Sequence, residues 1–589
     1  MCGIFGSLNN KNRNIESLSQ SISHRGPDSF GFWEDDNVSF GHRRLSIIDL
    51  SEAANQPMLT KSKDIVIVYN GEIYNYLDLK KKLEKKGYQF STNSDTEVVL
   101  ASYQEWGVKS FELFNGIFSF SILDKKNNKL LLVRDHAGIK PLYYSFHKDS
   151  LIFCSEIRGF KAFNPNWKQN PDWDALFLTF GFIPSPQTTL MNVYSLSKGN
   201  YLIIDIPSGK HKSEKYNQFT FSNIINSKKE AIELVRTTVS ESISRNMTSD
   251  APLGIFLSGG IDSSLIALIA DSLGHKDLTT LSVTFKEKTF DESPYQKIAL
   301  DNMRPHRHIN QSVDQNDFIE NIEDIFNAMD QPSCDSINSY FVSKAAHSNG
   351  LKAVLSGVGA DEIFGGYPSF SRIGLVDRLS NIPNFILKAM EKFPNEKVSR
   401  LSYLGSNLDY GEYLFLRGMV SPHLSSKILG RNIKNIYGAL SNLKIENYPR
   451  NYDNNLAAFL ETNVYMENQL LKDIDYMSMW HSLEVRVPFL DKEILSLMHS
   501  ISPSIKFNGK VPKYLLVKAF EDILPQGIIN RKKQGFTFPL SIWLKQNIDM
   551  FKPMLPDTPV TNNILNQFLE GRIHWSRLWA LIVYKQFKT

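Results

Sequence analysis

The feature that most limits how this chain can fold is a change of texture between its two parts. Residues 1–210 hold many short β-type runs, among them Ile65-Val66-Ile67-Val68-Tyr69, Phe118-Ser119-Phe120-Ser121-Ile122-Leu123 and Leu151-Ile152-Phe153-Cys154. Turn residues such as Asn70-Gly71 and Lys126-Asn127-Asn128 bound these runs, which predicts antiparallel sheet, with helices around Tyr76 to Lys86 and Glu97 to Trp106. The polar stretch from Pro207 to Lys229 reads as a linker. Beyond it, apolar strand, glycine-containing turn and helix alternate, with strand candidates Leu253 to Leu257, Leu281 to Phe285 and Leu351 to Leu355. That is the pattern of a parallel α/β sheet. From Tyr452 onward the tail reads largely helical. A chain of 589 residues is too long for one core, so two domains, 1–210 and 211–589, are expected.

With 42% hydrophobic and 22% charged residues, the composition is that of an ordinary soluble globular protein. A formal net charge of +4 is small for this length and leaves no footprint for nucleic acid or an anionic membrane. The apolar stretch from Leu265 to Ala270 is too short to span a bilayer. The N-terminus turns polar after Met1-Cys2-Gly3-Ile4-Phe5-Gly6, unlike a secretory signal. Cys2, Cys154 and Cys334 are far apart and in no paired spacing, so neither a disulfide framework nor a zinc site is expected, and a cytoplasmic location fits best.

A cysteine directly after the initiator Met becomes the first residue once Met1 is cleaved, and then carries both a thiol and an α-amine. The amine's reference pKa of about 7.7–8.0 lets it act as a base near neutral pH, so nucleophile and base share one residue. Attack on a carboxamide creates an oxyanion that needs fixed hydrogen-bond donors, and Asn70-Gly71 offers a side-chain amide and an unhindered backbone N–H. Two carboxylates, Glu72 and Asp95, suit an α-ammonium group, and Arg44 suits an α-carboxylate. Taken singly, the same residues also read as a small buried cysteine, a hairpin turn, a solvated pair and a helix cap.

Taken in order, Cys2-Gly3-Ile4-Phe5-Gly6, His24-Arg25-Gly26-Pro27-Asp28, Arg44-Leu45-Ser46-Ile47, Tyr69-Asn70-Gly71-Glu72-Ile73-Tyr74-Asn75 and Ser94-Asp95 resemble the class II glutamine amidotransferase domain. That domain is an N-terminal-nucleophile hydrolase, an α+β fold of αββα sandwich type. The resemblance implies Cys2 as nucleophile, Asn70 and Gly71 as the oxyanion hole, and Arg44, Asn70, Glu72 and Asp95 as glutamine ligands.

In the second part, Ser258-Gly259-Gly260-Ile261-Asp262-Ser263-Ser264 lies between an apolar strand and a helix expected to start near Ser263. Paired glycines allow close backbone approach, and hydroxyls and N–H groups meet phosphate at a positive helix end. No Gly-Lys-Ser/Thr follows, so this is not a Walker loop, and a plain strand-to-helix turn capped by Ser is the other reading. The full string resembles the pyrophosphate-binding loop of ATP pyrophosphatases that adenylate their substrates. Ser356-Gly357-Val358-Gly359-Ala360-Asp361-Glu362, leading into Phe364-Gly365-Gly366-Tyr367, follows a later strand. Both loops leave the carboxyl ends of parallel strands, where open α/β sheets bind ligands. Asp262 and Asp361 are the candidates to share Mg²⁺ with the triphosphate of ATP.

Asp475-Tyr476-Met477-Ser478-Met479, Glu484-Val485-Arg486-Val487-Pro488-Phe489-Leu490-Asp491, Gly509-Lys510-Val511-Pro512-Lys513-Tyr514 and Arg531-Lys532-Lys533-Gln534-Gly535-Phe536 complete an order similar to that of glutamine-hydrolysing asparagine synthetases. The resemblance implies an α/β ATP-pyrophosphatase-like domain with a helical C-terminal part. By it, Lys513 stabilises charge during adenylation, and Ser258, Gly259, Gly260, Asp262, Ser263, Val283, Ser356 and Gly357 line the nucleotide site. It further implies aspartate as acceptor, an internal route for ammonia and, by analogy, a homodimer. One loop departs from the family pattern: Val358 stands where well-known members carry glutamate, leaving Glu362 or Asp361 to substitute in the acceptor loop. Tyr476 stands where many carry arginine. Relatives with such changes look like amidotransferases for other carboxylates, for example uronic acids of surface polysaccharides.

Overall fold

The structure, a computed structural model, describes residues 2–9, 15–275, 278–393, 395–449, 451–508, 511–531 and 535–588. Met1, Gly509, Lys510, Lys532, Lys533 and Gln534 lie outside the described residues.

Two six-stranded antiparallel sheets form the first half. One runs in the order Tyr194–Ser195, Tyr143–His147, Ser150–Cys154, Gly3–Leu8, Val38–Arg44, Ser29–Glu34. The other runs His211–Lys215, Asn200–Asp205, Lys129–Arg134, Gly116–Asp124, Ile65–Ile73, Met58–Leu59. The period-two alternation of the strand Ile65–Ile73 explains the layering. Val66 and Val68 pack with Ile4, Phe40, Leu132 and Phe153 between the sheets. Ile65, Ile67 and Tyr69 face the other way, onto Leu79, Leu83, Val98 and Val99 of two covering helices. On the outer side of the first sheet, Phe5 and Ile152 pack against Leu18, Ile22 and Phe160. The result is four layers, helix–sheet–sheet–helix, as the α+β expectation required.

The second half is built on a five-stranded parallel sheet in the order Arg307–Ser312, Thr279–Thr284, Leu253–Phe256, Ala353–Leu355, Glu484–Arg486. Ile255 and Leu355 pack with Leu265 and Ile269 of the helix Ile261–Ser272 on one face, and Val283 and Val354 pack with Ile337, Phe341 and Ala345 of Ile337–Ser348 on the other. The chain grows outward from Leu253–Phe256 in both directions, so the crevice between that strand and Ala353–Leu355 is the topological switch point. Helices dominate from Asn454 onward, and one long run changes to π-helical pitch over Glu461–Leu470 before Leu471–Trp480.

Two expectations are corrected. The polar stretch read as a linker contains the strand His211–Lys215, paired along Asn200–Asp205. The polar run Arg307–Ser312, to which the sequence assigns no element, is likewise a strand. Both are edge strands whose side chains mostly face solvent, so neither carries a hydrophobic alternation to read. Asn70-Gly71 does not end its strand: Ile65–Ile73 runs through it, with Gly71 opposite Phe118. At φ +150°, and with a Cβ there falling 2.0 Å from the Ile117 carbonyl oxygen, position 71 admits only glycine.

Candidate active sites

Cys2 lies just ahead of Gly3–Leu8, a central strand of the first sheet, and is 8% exposed. Its backbone nitrogen donates to Asn70 Oδ1 at 2.9 Å, and its Sγ is 3.9 Å from the Leu45 carbonyl oxygen. Asn70 comes from the second sheet, so the site bridges the two. The side chain of Asn70 is fully buried, yet its Nδ2 has no hydrogen-bond partner. An unmatched buried donor costs about 1–3 kcal/mol, which is tolerable where a ligand oxygen completes it. Next to it, Glu72 and Asp95 are both buried. Asp95 Oδ2 accepts from the Tyr69 hydroxyl at 2.7 Å and the Ile73 N–H at 2.9 Å. The helix Asp95–Trp106 is capped instead by Ser94, whose hydroxyl accepts from the Thr96 N–H, so Asp95 is released from that structural duty. Arg44 is clamped by the Ser51 carbonyl at 2.7 Å, Asn55 Oδ1 at 2.8 Å and the Asp49 carbonyl.

Burial raises the Cys2 thiol pKa. It also pushes Glu72 well above the usual carboxylate range, an effect compounded by Asp95 and Glu484. Asp95 is raised to about 6, again mainly by burial. A buried pair of carboxylates next to a buried thiol is a site poised for a cation.

In the second half, Ser258 follows the strand Leu253–Phe256, and its N–H and hydroxyl meet Ser263 Oγ at 3.1 and 3.0 Å, closing a tight loop onto the helix Ile261–Ser272. Ser356 and Gly357 leave the neighbouring strand. Between the two loops, Lys513 Nζ bonds Asp262 and lies 2.7 Å from Asp361 Oδ1. Burial alone would lower the Lys513 pKa, but Asp262 and Asp361 outweigh it and raise it. Gly366 makes the triad possible, since a Cβ there would fall 1.6 Å from Asp361 Oδ1 and 2.8 Å from Lys513 Cε.

These groups line one cavity of about 440 Å³. Ser258, Gly260, Asp262, Ser263, Val283, Ser356, Gly357, Val358, Asp361, Glu362 and Lys513 all border it. Gly259 does not: at φ +72° it turns the chain against Tyr295 and Gln296. The structure adds Asp335, Asp473, Tyr367, Tyr465, Arg531 and Phe536 to the walls. Tyr465 comes from the π-helical run and Asp473 from the helix that continues it, and no sequence signal marks either. Among the described residues no group of three or more His, Cys, Asp or Glu side chains converges as a metal cage. Asp262 and Asp361 do offer two hard carboxylates around one cationic group, the donor type Mg²⁺ takes when substrate phosphates complete its shell. The residues fit that ion.

Tyr476 is elsewhere. It is buried between the halves, its hydroxyl bonded to the Tyr143 hydroxyl and 3.2 Å from Gln331 Nε2, and it does not border the cavity. Beside it Asp475 accepts from Arg25 at 2.7 Å, and Arg25 also donates to Glu156 at 2.7 Å and to the Cys2 carbonyl at 3.1 Å. Arg25 and Asp475 stand in the quoted motifs, but nothing in the sequence pairs them across 450 residues.

Known families match both halves of the chain. The model of the glutamine amidotransferase domain matches residues 1–217, and that of asparagine synthase matches residues 234–579. Asparagine synthetase [glutamine-hydrolyzing] 1 of Bacillus subtilis is 33% identical over 99% of this chain and 96% of its own length. Asparagine synthetase [glutamine-hydrolyzing] 3 of the same organism is 30% identical, covering 97% and 93%. Amidase chry2 of Gibberella zeae is 28% identical, covering 90% and 85%.

Proposed function

The chain belongs to the family of glutamine-hydrolysing asparagine synthetases, and from that premise we propose that it amidates aspartate with ammonia released from glutamine at Cys2. It is a glutamine-hydrolysing ligase. The observation that carries the acceptor half is Lys513 held between Asp262 and Asp361 on the wall of a cavity reached by both strand-end loops. The glutaminase domain is the N-terminal one and the synthetase domain follows it, divided near residue 210.

At the first site, the Cys2 thiol gives up its proton to the α-amine that Met1 removal exposes, and attacks the glutamine carboxamide carbon. The resulting oxyanion is received by Asn70 Nδ2 and the Gly71 N–H. Arg44 holds the α-carboxylate of glutamine, and Glu72 and Asp95 hold its α-ammonium. Collapse expels ammonia with a returned proton and leaves a thioester, which water hydrolyses to glutamate.

At the second site, a carboxylate oxygen of aspartate attacks the α-phosphorus of ATP, forming β-aspartyl-AMP and releasing pyrophosphate. Ser258, Gly260, Ser263, Ser356 and Gly357 are the phosphate and nucleotide contacts, and Lys513 faces the charge that builds on the phosphate. Asp262 and Asp361 would hold Mg²⁺, which when bound neutralises phosphate oxygens. Ammonia, reaching this site inside the protein, attacks the acyl carbon, loses a proton, and AMP departs.

A second reading keeps the chemistry and changes the acceptor to another carboxylate, such as a uronic acid. Val358 favours it, since it presents an apolar side chain to the cavity, and a relative named as an amidase is consistent with it. Tyr476 lends it no support. Purified protein with glutamine and Mg-ATP, with and without aspartate, decides between them. Pyrophosphate and asparagine appearing together, and only with aspartate, supports the first reading. Pyrophosphate released by another carboxylate of a panel, and not by aspartate, refutes it.

A further inference from the structure

Arg486 is fully buried on the edge strand Glu484–Arg486 of the parallel sheet. Its main chain serves the synthetase half: the Arg486 carbonyl accepts the Ser356 N–H at 2.8 Å, fixing the first residue of the second cavity loop. Its side chain is anchored in that half and reaches the other with one nitrogen. Nη1 is held by the Asn246 carbonyl at 2.8 Å and the Thr248 carbonyl at 2.5 Å, and Nε by Glu484 Oε1 at 2.5 Å. The remaining nitrogen, Nη2, points at Glu72 Oε1 from 3.8 Å and has no hydrogen-bond partner, and Glu72 Oε2 has none either. The guanidinium also lies 5.7 Å from the Tyr74 ring centre.

The charges around Glu72 do not balance. Asp95 and Glu484 both repel its carboxylate, and Arg486 is the group of the second half that stabilises it. Arg486 is itself engaged by Glu484, whose carboxyl burial alone would raise but which Arg486 holds down at about 2. Glu72 is thus left oriented by a cation it does not fully bond, with acceptor capacity for a second one. A small ammonium is the chemistry that completes it.

We propose that Arg486, a residue of the synthetase half, is a positioning residue of the glutamine site, setting Glu72 for the substrate ammonium while its own backbone anchors Ser356. This rests on the reading of Glu72 as a glutamine ligand. Glutamine affinity is then built partly from the other domain, and one residue ties the two sites.

The test uses the full-length enzyme with Arg486→Gln and Arg486→Lys, reading glutamate release from glutamine and ammonia-dependent pyrophosphate release. Arg486→Gln is expected to raise the KM for glutamine at least tenfold, with kcat and the ammonia-dependent rate within twofold, and Arg486→Lys to recover most of the KM. If Arg486→Gln fails to fold, Arg486→Lys carries the test, with an expected rise in KM of at least threefold. A KM within twofold of the unaltered enzyme in folded Arg486→Gln overturns the proposal, as does the same result in Arg486→Lys where Arg486→Gln does not fold. So does a parallel fall of both activities, the mark of a merely structural role. If the unaltered enzyme releases no glutamate from glutamine, the glutamine reading itself fails, and the proposal falls with it.

Discussion

The two sites are built in opposite ways. Around Cys2 the groups are buried and close-set: Asn70 and Glu72 sit on one strand, Asp95 accepts from the Tyr69 hydroxyl and the Ile73 N–H, and Arg44 is clamped by the Ser51 and Asp49 carbonyls and Asn55. The second site is an open volume of about 440 Å³ whose walls come from two strand-end loops, a π-helical run and the segment carrying Lys513. The difference follows the chemistry proposed for each. One small substrate, glutamine, needs a fixed mould, whereas ATP and a second carboxylate must enter together and be brought into line.

That contrast predicts separable failures. The largest is Cys2→Ala, expected to lower glutamine-dependent product formation on the order of 10⁴-fold or more while ammonia-dependent formation persists. Parallel assays with glutamine and with ammonium chloride read both. Loss of both in a folded protein breaks the comparison. Conversely, Lys513→Met should lower pyrophosphate release by about 10²–10³-fold from either nitrogen source, with glutamate release from glutamine retained.

Smaller changes sharpen it. Gly366→Ala places a methyl group where Asp361 Oδ1 and Lys513 Cε now lie. Displacing that pair by about 1 Å should cost on the order of 10² in pyrophosphate release, and nothing at Cys2. At the glutamine site, Asp95 is raised to about 6 by burial, and a bound ammonium favours its ionised form. Protons therefore compete with glutamine below that pH. The KM for glutamine should rise about fivefold between pH 6 and pH 5, and Asp95→Asn should flatten that limb. A KM indifferent to pH there removes Asp95 from the ammonium site.

Much of this was legible because the relevant residues are local in sequence. The run Tyr69 to Asn75 carries Asn70, Gly71 and Glu72 on one strand, and Ser258 to Ser264 carries a whole loop. What was not legible depends on distance or on solvent. Arg25 meets Asp475, and Arg486 meets Glu72, only after two domains pack, and no local pattern encodes that. The edge strands His211–Lys215 and Arg307–Ser312 are written in polar residues because water covers them. Tyr476 departs from the family pattern, but its helix turns it toward Tyr143 between the domains and away from the cavity, which the departure alone does not reveal.

The central claim is that nitrogen freed at the buried site is consumed at the open one. Amide-¹⁵N glutamine, Mg-ATP and aspartate, incubated with the enzyme in the presence of excess unlabelled ammonium, tests it most directly by mass spectrometry of the amide product. The account predicts asparagine carrying ¹⁵N well above the isotopic ratio of the bulk ammonia, formed in step with pyrophosphate. Asparagine labelled only to the bulk ratio, or glutamate formed with neither asparagine nor pyrophosphate, would contradict it.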